Sequence, residues 1–133
     1  MAKLVTLRDA DGEVIYPQTI SDMDYSTSEQ DTGCKWIDGK KIYKKTFNIH
    51  AGPRAGETIY ITGLTSIDNV INYEGFLSTS VLTIYVGASR ANSNAALGCW
   101  FERDYGRFAI ESGNSDRSGF GGYITIWFTK TTD

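Results

Sequence analysis

From Lys41 to Ile49 the side chains fall into two alternating rows, Ile42, Lys44, Thr46 and Asn48 on one and Tyr43, Lys45, Phe47 and Ile49 on the other. A period of two belongs to a β-strand, and no window long enough for an ordinary helix keeps a 3.6-residue apolar stripe. Similar short runs recur at Lys3 to Leu7, Glu13 to Tyr16, Glu57 to Thr62, Ile67 to Tyr73, Val81 to Val86, Leu97 to Glu102, Arg107 to Ile110 and Tyr123 to Thr129. Gly, Asn, Asp and Ser separate them, as turns do. Crossovers of a dozen residues with helical character are missing, which excludes a parallel sheet. The expectation is an all-β chain: an antiparallel two-sheet β-sandwich or jelly roll of about eight or nine strands.

With 133 residues the chain is expected to form a single domain, 1–133. Residues 1–32 form a partly irregular N-terminal arm pinned at Met23 and Tyr25, 35–47 a hairpin, and 123–130 the final strand. In the hairpin, Asp38-Gly39 reads as a type I′ turn that brings Trp36 against Tyr43 as a cross-strand aromatic pair. The row Tyr43, Lys45, Phe47 and Ile49 is expected inside, with Lys45 at an edge or snorkelling, the alternative being Ile42 inward and a bulge after it.

Composition removes several chemistries. Acidic residues number 16 and basic residues 13, a net charge of -3 that gives nucleic acid no general attraction. There is no 18-residue apolar run to insert in a membrane, and Met1 to Leu7 lacks the apolar stretch of a secretory signal. His50 is the only histidine, and with Cys34 and Cys99 it cannot complete a four-residue Cys/His zinc site. No metal and no cofactor are expected. The cysteines read as two free thiols, with a disulfide the alternative. No Gly-x-Ser-x-Gly elbow or phosphate loop is present. A Cys-His pair would need His50 beside Cys34 or Cys99. A carboxylate pair would have to come from Glu102, Asp104 and Glu111, and acidic residues at turns are ordinarily solvated. The chain is therefore read as a non-enzyme.

Binding is the remaining chemistry. Aromatic faces interleaved with Asn, Asp and Arg hold sugars by stacking below and hydrogen bonds at the rim. The expected ligand-binding residues are Trp100 and Tyr105 as stacking faces, Arg103 and Arg107 as a charged rim for anionic groups, and Asn92, Asn94 and Asn114 as adaptable hydrogen-bonding groups. The loops 89–94 and 112–119 and the 100–107 hairpin are expected to gather on one end or one face. The plainer reading of Trp36 and Trp100, ahead of a ligand role, is as core residues, since tryptophan is highly buried on average.

Two segments carry a resemblance. The first runs Tyr25-Ser26-Thr27-Ser28-Glu29-Gln30, then Lys35-Trp36-Ile37-Asp38-Gly39-Lys40-Lys41-Ile42-Tyr43-Lys44-Lys45-Thr46-Phe47. The second is Tyr123-Ile124-Thr125-Ile126-Trp127-Phe128-Thr129-Lys130-Thr131-Thr132-Asp133. Together they resemble the C-terminal domains of bacteriophage tail-fibre or receptor-binding proteins from Firmicutes phages and prophages. Lys41 stands where that family usually has proline, and Cys34 where it has another residue. The resemblance implies a β-sandwich at the end of a tail component. It further implies residence in the virion after synthesis in the bacterial host cytoplasm, trimeric assembly with other phage tail proteins, and a host cell-surface polysaccharide as target. A structural adaptor or decoration protein without a ligand is the alternative, and a carbohydrate-active enzyme a further one.

Overall fold

The computed structural model describes residues 24–87 and 96–132, with the backbone of two short strands nearer the N-terminus. Residues 9–13, Met23, and the 88–95 segment with Asn92 and Asn94 lie outside the described residues. Strands β1 (Leu7–Arg8) and β2 (Val14–Ile15) pair antiparallel in a ladder of their own. The chain continues through β3 (Gln30–Lys35), β4 (Lys41–Ile49), β5 (Thr58–Ile61), β6 (Ile67–Ser78) and β7 (Thr83–Tyr85). It closes with β8 (Leu97–Glu102), a turn of 3-10 helix at Arg103–Tyr105, β9 (Arg107–Ser112) and β10 (Gly121–Lys130).

These strands make a sandwich. One sheet has five antiparallel strands in the order β3-β4-β10-β6-β7, the other three in the order β5-β9-β8. The expected all-β, two-sheet architecture is the one observed. Between the sheets, Ile124, Ile126 and Phe128 of β10, Ile49 of β4 and Leu77 of β6 pack with Phe108 and Ile110 of β9 and Leu97 of β8. Each such side chain withdrawn from water contributes roughly 1.5–3 kcal/mol. Alternation fixes this assignment, because residues two apart share a face: Tyr43 and Phe47 lie on the core row, and Lys45 sets its Nζ 5.1 Å from the Phe47 ring centroid.

The β3–β4 turn differs from its expected form. Gly39 N–H donates to the Trp36 carbonyl at 3.0 Å and Trp36 N–H to the Lys40 carbonyl at 2.8 Å. Gly39 has φ 87°, while among the described residues no non-glycine has positive φ. A type I′ turn needs positive φ at both Asp38 and Gly39. Asp38 therefore sits in a type I turn, and Gly39 supplies the left-handed residue after it. The longer loop and an irregularity between Asp31 and Lys35 bring Asp31, not Trp36, opposite Tyr43. Tyr43 stacks instead on Phe128, centroids 5.9 Å apart. Trp36 is 38% exposed and Trp100 39%, so neither is the buried core residue that was expected.

The outer face of the five-stranded sheet has its own cover. Residues 24–29 run beside β4, where Thr46 N–H donates to the Ser26 carbonyl at 2.9 Å. Ser28 N–H bonds Ser26 Oγ, and Gln30 Nε2 bonds the Asp24 carbonyl, which folds this segment back on itself. Beneath it Lys44 is only 2% exposed, its Nζ 4.3 Å from the Tyr25 ring centroid. The expected pin at Tyr25 is thus a cation–π contact made by an exposed ring.

Candidate functional site

The hairpin tip between β8 and β9 brings four expected site residues together. In the outer row of the three-stranded sheet, Trp100, Ala109 and Tyr60 are register partners, and Ala109 is fully buried between its neighbours. Trp100 Nε1–H donates to Glu102 Oε1 at 3.1 Å, and Arg107 Nε–H pairs with Glu102 Oε2. The Arg107 guanidinium lies 3.9 Å from the Tyr60 ring centroid and 4.6 Å from that of Tyr105. The hydrogen bond from Arg107, then that from Trp100, holds the Glu102 carboxyl below its ordinary range.

These contacts engage both arginines of the expected rim. Arg107 is committed to Glu102 and two rings. Arg103 donates from Nε to the Asp68 carbonyl at 2.6 Å and from Nη2 to Asn69 Oδ1, so it fastens the tip to β6. Gly106, in the left-handed region at φ 58°, ends the 3-10 turn and accepts from Leu64 N–H at 2.8 Å. A side chain there would meet Thr65 at 2.7 Å. A shallow depression of about 370 Å³ remains, lined by Glu102, Arg103, Asp104 and Tyr105.

The 112–119 loop and the 100–107 hairpin tip stand at opposite ends of β9, and the 89–94 loop lies outside the described residues. Asn114 follows the far end of β9, where Ser112 pairs with Leu97, whereas Arg107 pairs with Glu102 at the near end. Five strand residues put these ends about 17 Å apart. Gly113 N–H does reach the Ala96 carbonyl at 3.3 Å, so the 113–120 loop meets the chain leading into β8, away from Trp100 and the arginines.

Catalytic constellations fare similarly. Cys34 lies near the start of β4, His50 just past its end, and eight residue steps along the strand lead from Ile42 to His50, about 27 Å. Cys34 and Cys99 are free thiols, and Cys99 is hydrogen-bonded to Tyr73. Glu111 pairs with Gly98 and Thr58, at the opposite end of β9 from Glu102. Among the described residues no three His, Cys, Asp or Glu side chains converge as a metal site would require, and no helix is long and apolar enough to cross a membrane.

The larger concavity is elsewhere, on the outer face of the five-stranded sheet. It encloses about 770 Å³ and is lined by Tyr25, Ser26 and Thr27 on one side and Phe76, Tyr85 and Tyr123 on the other, with Thr46, Thr125 and Glu74 among the residues between. That volume lies within the range of small-molecule sites. Register builds it. Tyr123, Phe76 and Tyr85 are neighbours across β10, β6 and β7, and Thr46, Thr125 and Glu74 are neighbours across β4, β10 and β6. The Phe76 and Tyr123 rings are tilted at 6.2 Å, and Tyr85 and Tyr123 are 65% and 45% exposed. Thr46 Oγ1 and Thr125 Oγ1 share a buried hydrogen bond of 2.7 Å. Among the described residues Glu74 takes part in no ion pair, and no Lys, Arg or His lines the groove.

Sequence reasoning missed this groove because its walls come from five separate segments. The usable signal was the outer row of the last strand, where Tyr123 and Thr125 alternate with core isoleucines. No family model matches the chain, and neither a curated protein nor a solved structure matches it significantly.

Proposed function

We propose that this protein is a non-catalytic carbohydrate-binding module of a bacteriophage tail, and that the outer-face groove holds a host cell-surface glycan. The observation that carries the binding reading is the row Tyr123, Phe76 and Tyr85 facing Tyr25 across a floor of hydroxyls and one carboxylate. Flat rings take the apolar face of a pyranose, and the floor takes its hydroxyls. A sheet holds the floor rigid, so little ordering entropy opposes capture. The placement in a tail, a trimeric assembly and contact with other tail proteins rest on the resemblance of the Tyr25 to Phe47 and Tyr123 to Asp133 segments.

Adsorption of the purified protein to host cell walls tests the binding reading. Tyr123→Ala and Tyr85→Ala each weaken adsorption by about tenfold or more, from the ring area withdrawn from water, with unchanged melting because both rings are exposed. Trp100→Ala, on the other sheet, leaves adsorption unaltered. Full adsorption by both tyrosine variants overturns the groove as the binding site. The adaptor reading has one observation in its favour: Val81 and Leu82, adjacent in the β6–β7 turn, are 90% and 47% exposed. Loss of particle assembly in Val81→Asp, with normal adsorption, supports that reading.

A further inference from the structure

Resting on the glycan reading, we infer that the groove selects a sugar bearing a protonated amine over its N-acetylated and its anionic counterparts. Among the described residues, Glu74 is the one acidic or basic side chain that lines the groove. It stands beside Thr125 in the floor, on the row next to the Tyr123, Phe76 and Tyr85 rings. Ring faces attract a cation through their quadrupole, and a carboxylate adds a charge-assisted hydrogen bond. A carboxylate and several rings in one groove are therefore complementary to an ammonium group.

The floor is also poor in donors. Thr46 and Thr125 hold two hydroxyl hydrogens between them, and one is spent in their mutual bond. Glu74 only accepts. A ligand rich in donors satisfies this surface, whereas a phosphate or carboxylate would face Glu74 with no cation to offset it. Lys44 lies on the same face but sits beneath the Tyr25 ring and does not line the groove. Arg103 and Arg107 are held at the tip of the other sheet's hairpin by Asn69, the Asp68 carbonyl and Glu102.

The test compares three probes by calorimetry: a β-1,4-linked glucosamine tetramer, its fully N-acetylated form, and a glycerol-phosphate polymer. The native protein binds the amine form about fivefold more tightly than the acetylated form at low salt, a ratio suited to a partly exposed ion pair. Added salt lowers that ratio. Glu74→Gln brings the two affinities together while keeping affinity for the acetylated tetramer and an unchanged melting curve. Equal affinity of the native protein for both tetramers, or a preference for the polymer, overturns the inference and leaves the glycan reading standing. Failure of the native protein to bind either tetramer counts against the glycan reading and overturns the inference with it.

Discussion

At the scale of single residues, Thr46 and Thr125 make the sharpest case. Their hydroxyls meet at 2.7 Å with both residues largely buried, 8% and 5% exposed. Thr125→Val removes one hydroxyl and leaves the other without its partner, which costs about 1–3 kcal/mol. Thr46→Val with Thr125→Val removes both and recovers most of that loss, because valine keeps the shape. Chemical denaturation of the two single variants and the double variant measures the coupling. Glu102 gives a pH signature. Its carboxyl is pulled below the ordinary 4.5 by Arg107 and Trp100, so the unfolded chain takes up the proton first. The resulting stability is complete above that value and declines as pH falls through and below it. Glu102→Gln therefore melts lower than the native protein at pH 7, and the gap closes in acid. The closeness of Trp100, Arg103, Tyr105 and Arg107 was legible because a hairpin makes sequence neighbours into spatial neighbours, whereas the bonds of Trp100 and Arg107 to Glu102 were not read. The burial of Lys44 was not, because it depends on residues 24–29 lying across its face, which alternation along β4 does not report.

At the scale of elements, alternation and turn residues located the strands well. Leu97 to Glu102 matches β8 residue for residue, and Ile59 and Ile61 share the core face of β5 as their spacing implied. In the long β6, Asp68-Asn69 reads as a turn or a bulge, and the strand carries a register shift there, Thr129 facing Asn69 and Lys130 facing Ile67, with a second shift between Trp127 and Phe128. A bulge adds a residue without ending the pairing, and polar residues mark a bulge and a turn alike. The Trp36–Tyr43 pairing failed for a similar reason, since Asp-Gly suits both a type I′ turn and the last position of type I with its following glycine. Two glycines provide a test of how tightly elements meet. A side chain at Gly122 of β10 would stand 1.9 Å from the Phe76 carbonyl oxygen, while at Gly98 of β8 nothing lies within 4 Å. Gly122→Ala is expected to lose about 3 kcal/mol, and Gly98→Ala to gain about 0.5 kcal/mol by restricting the unfolded strand. Paired denaturant titrations decide both.

At the scale of the whole molecule, the two-sheet sandwich was readable from pattern alone, but the groove was not. Its floor joins Thr46, Glu74 and Thr125, and only the strand order β4-β10-β6 makes these three neighbours. That order has a further consequence for how the chain is made. β10 occupies the centre of the five-stranded sheet yet is synthesised after β3, β4, β6 and β7. Until Gly121–Lys130 leaves the ribosome, the β3–β4 and β6–β7 hairpins are separate ribbons, each with an open edge. Joining them closes contacts such as Thr46 to Thr125 across 79 positions, the kind of non-local step that slows β proteins to milliseconds or longer. During that interval the slot between β4 and β6 is open to any strand of matching sequence, and the β10 of a second copy is one such strand.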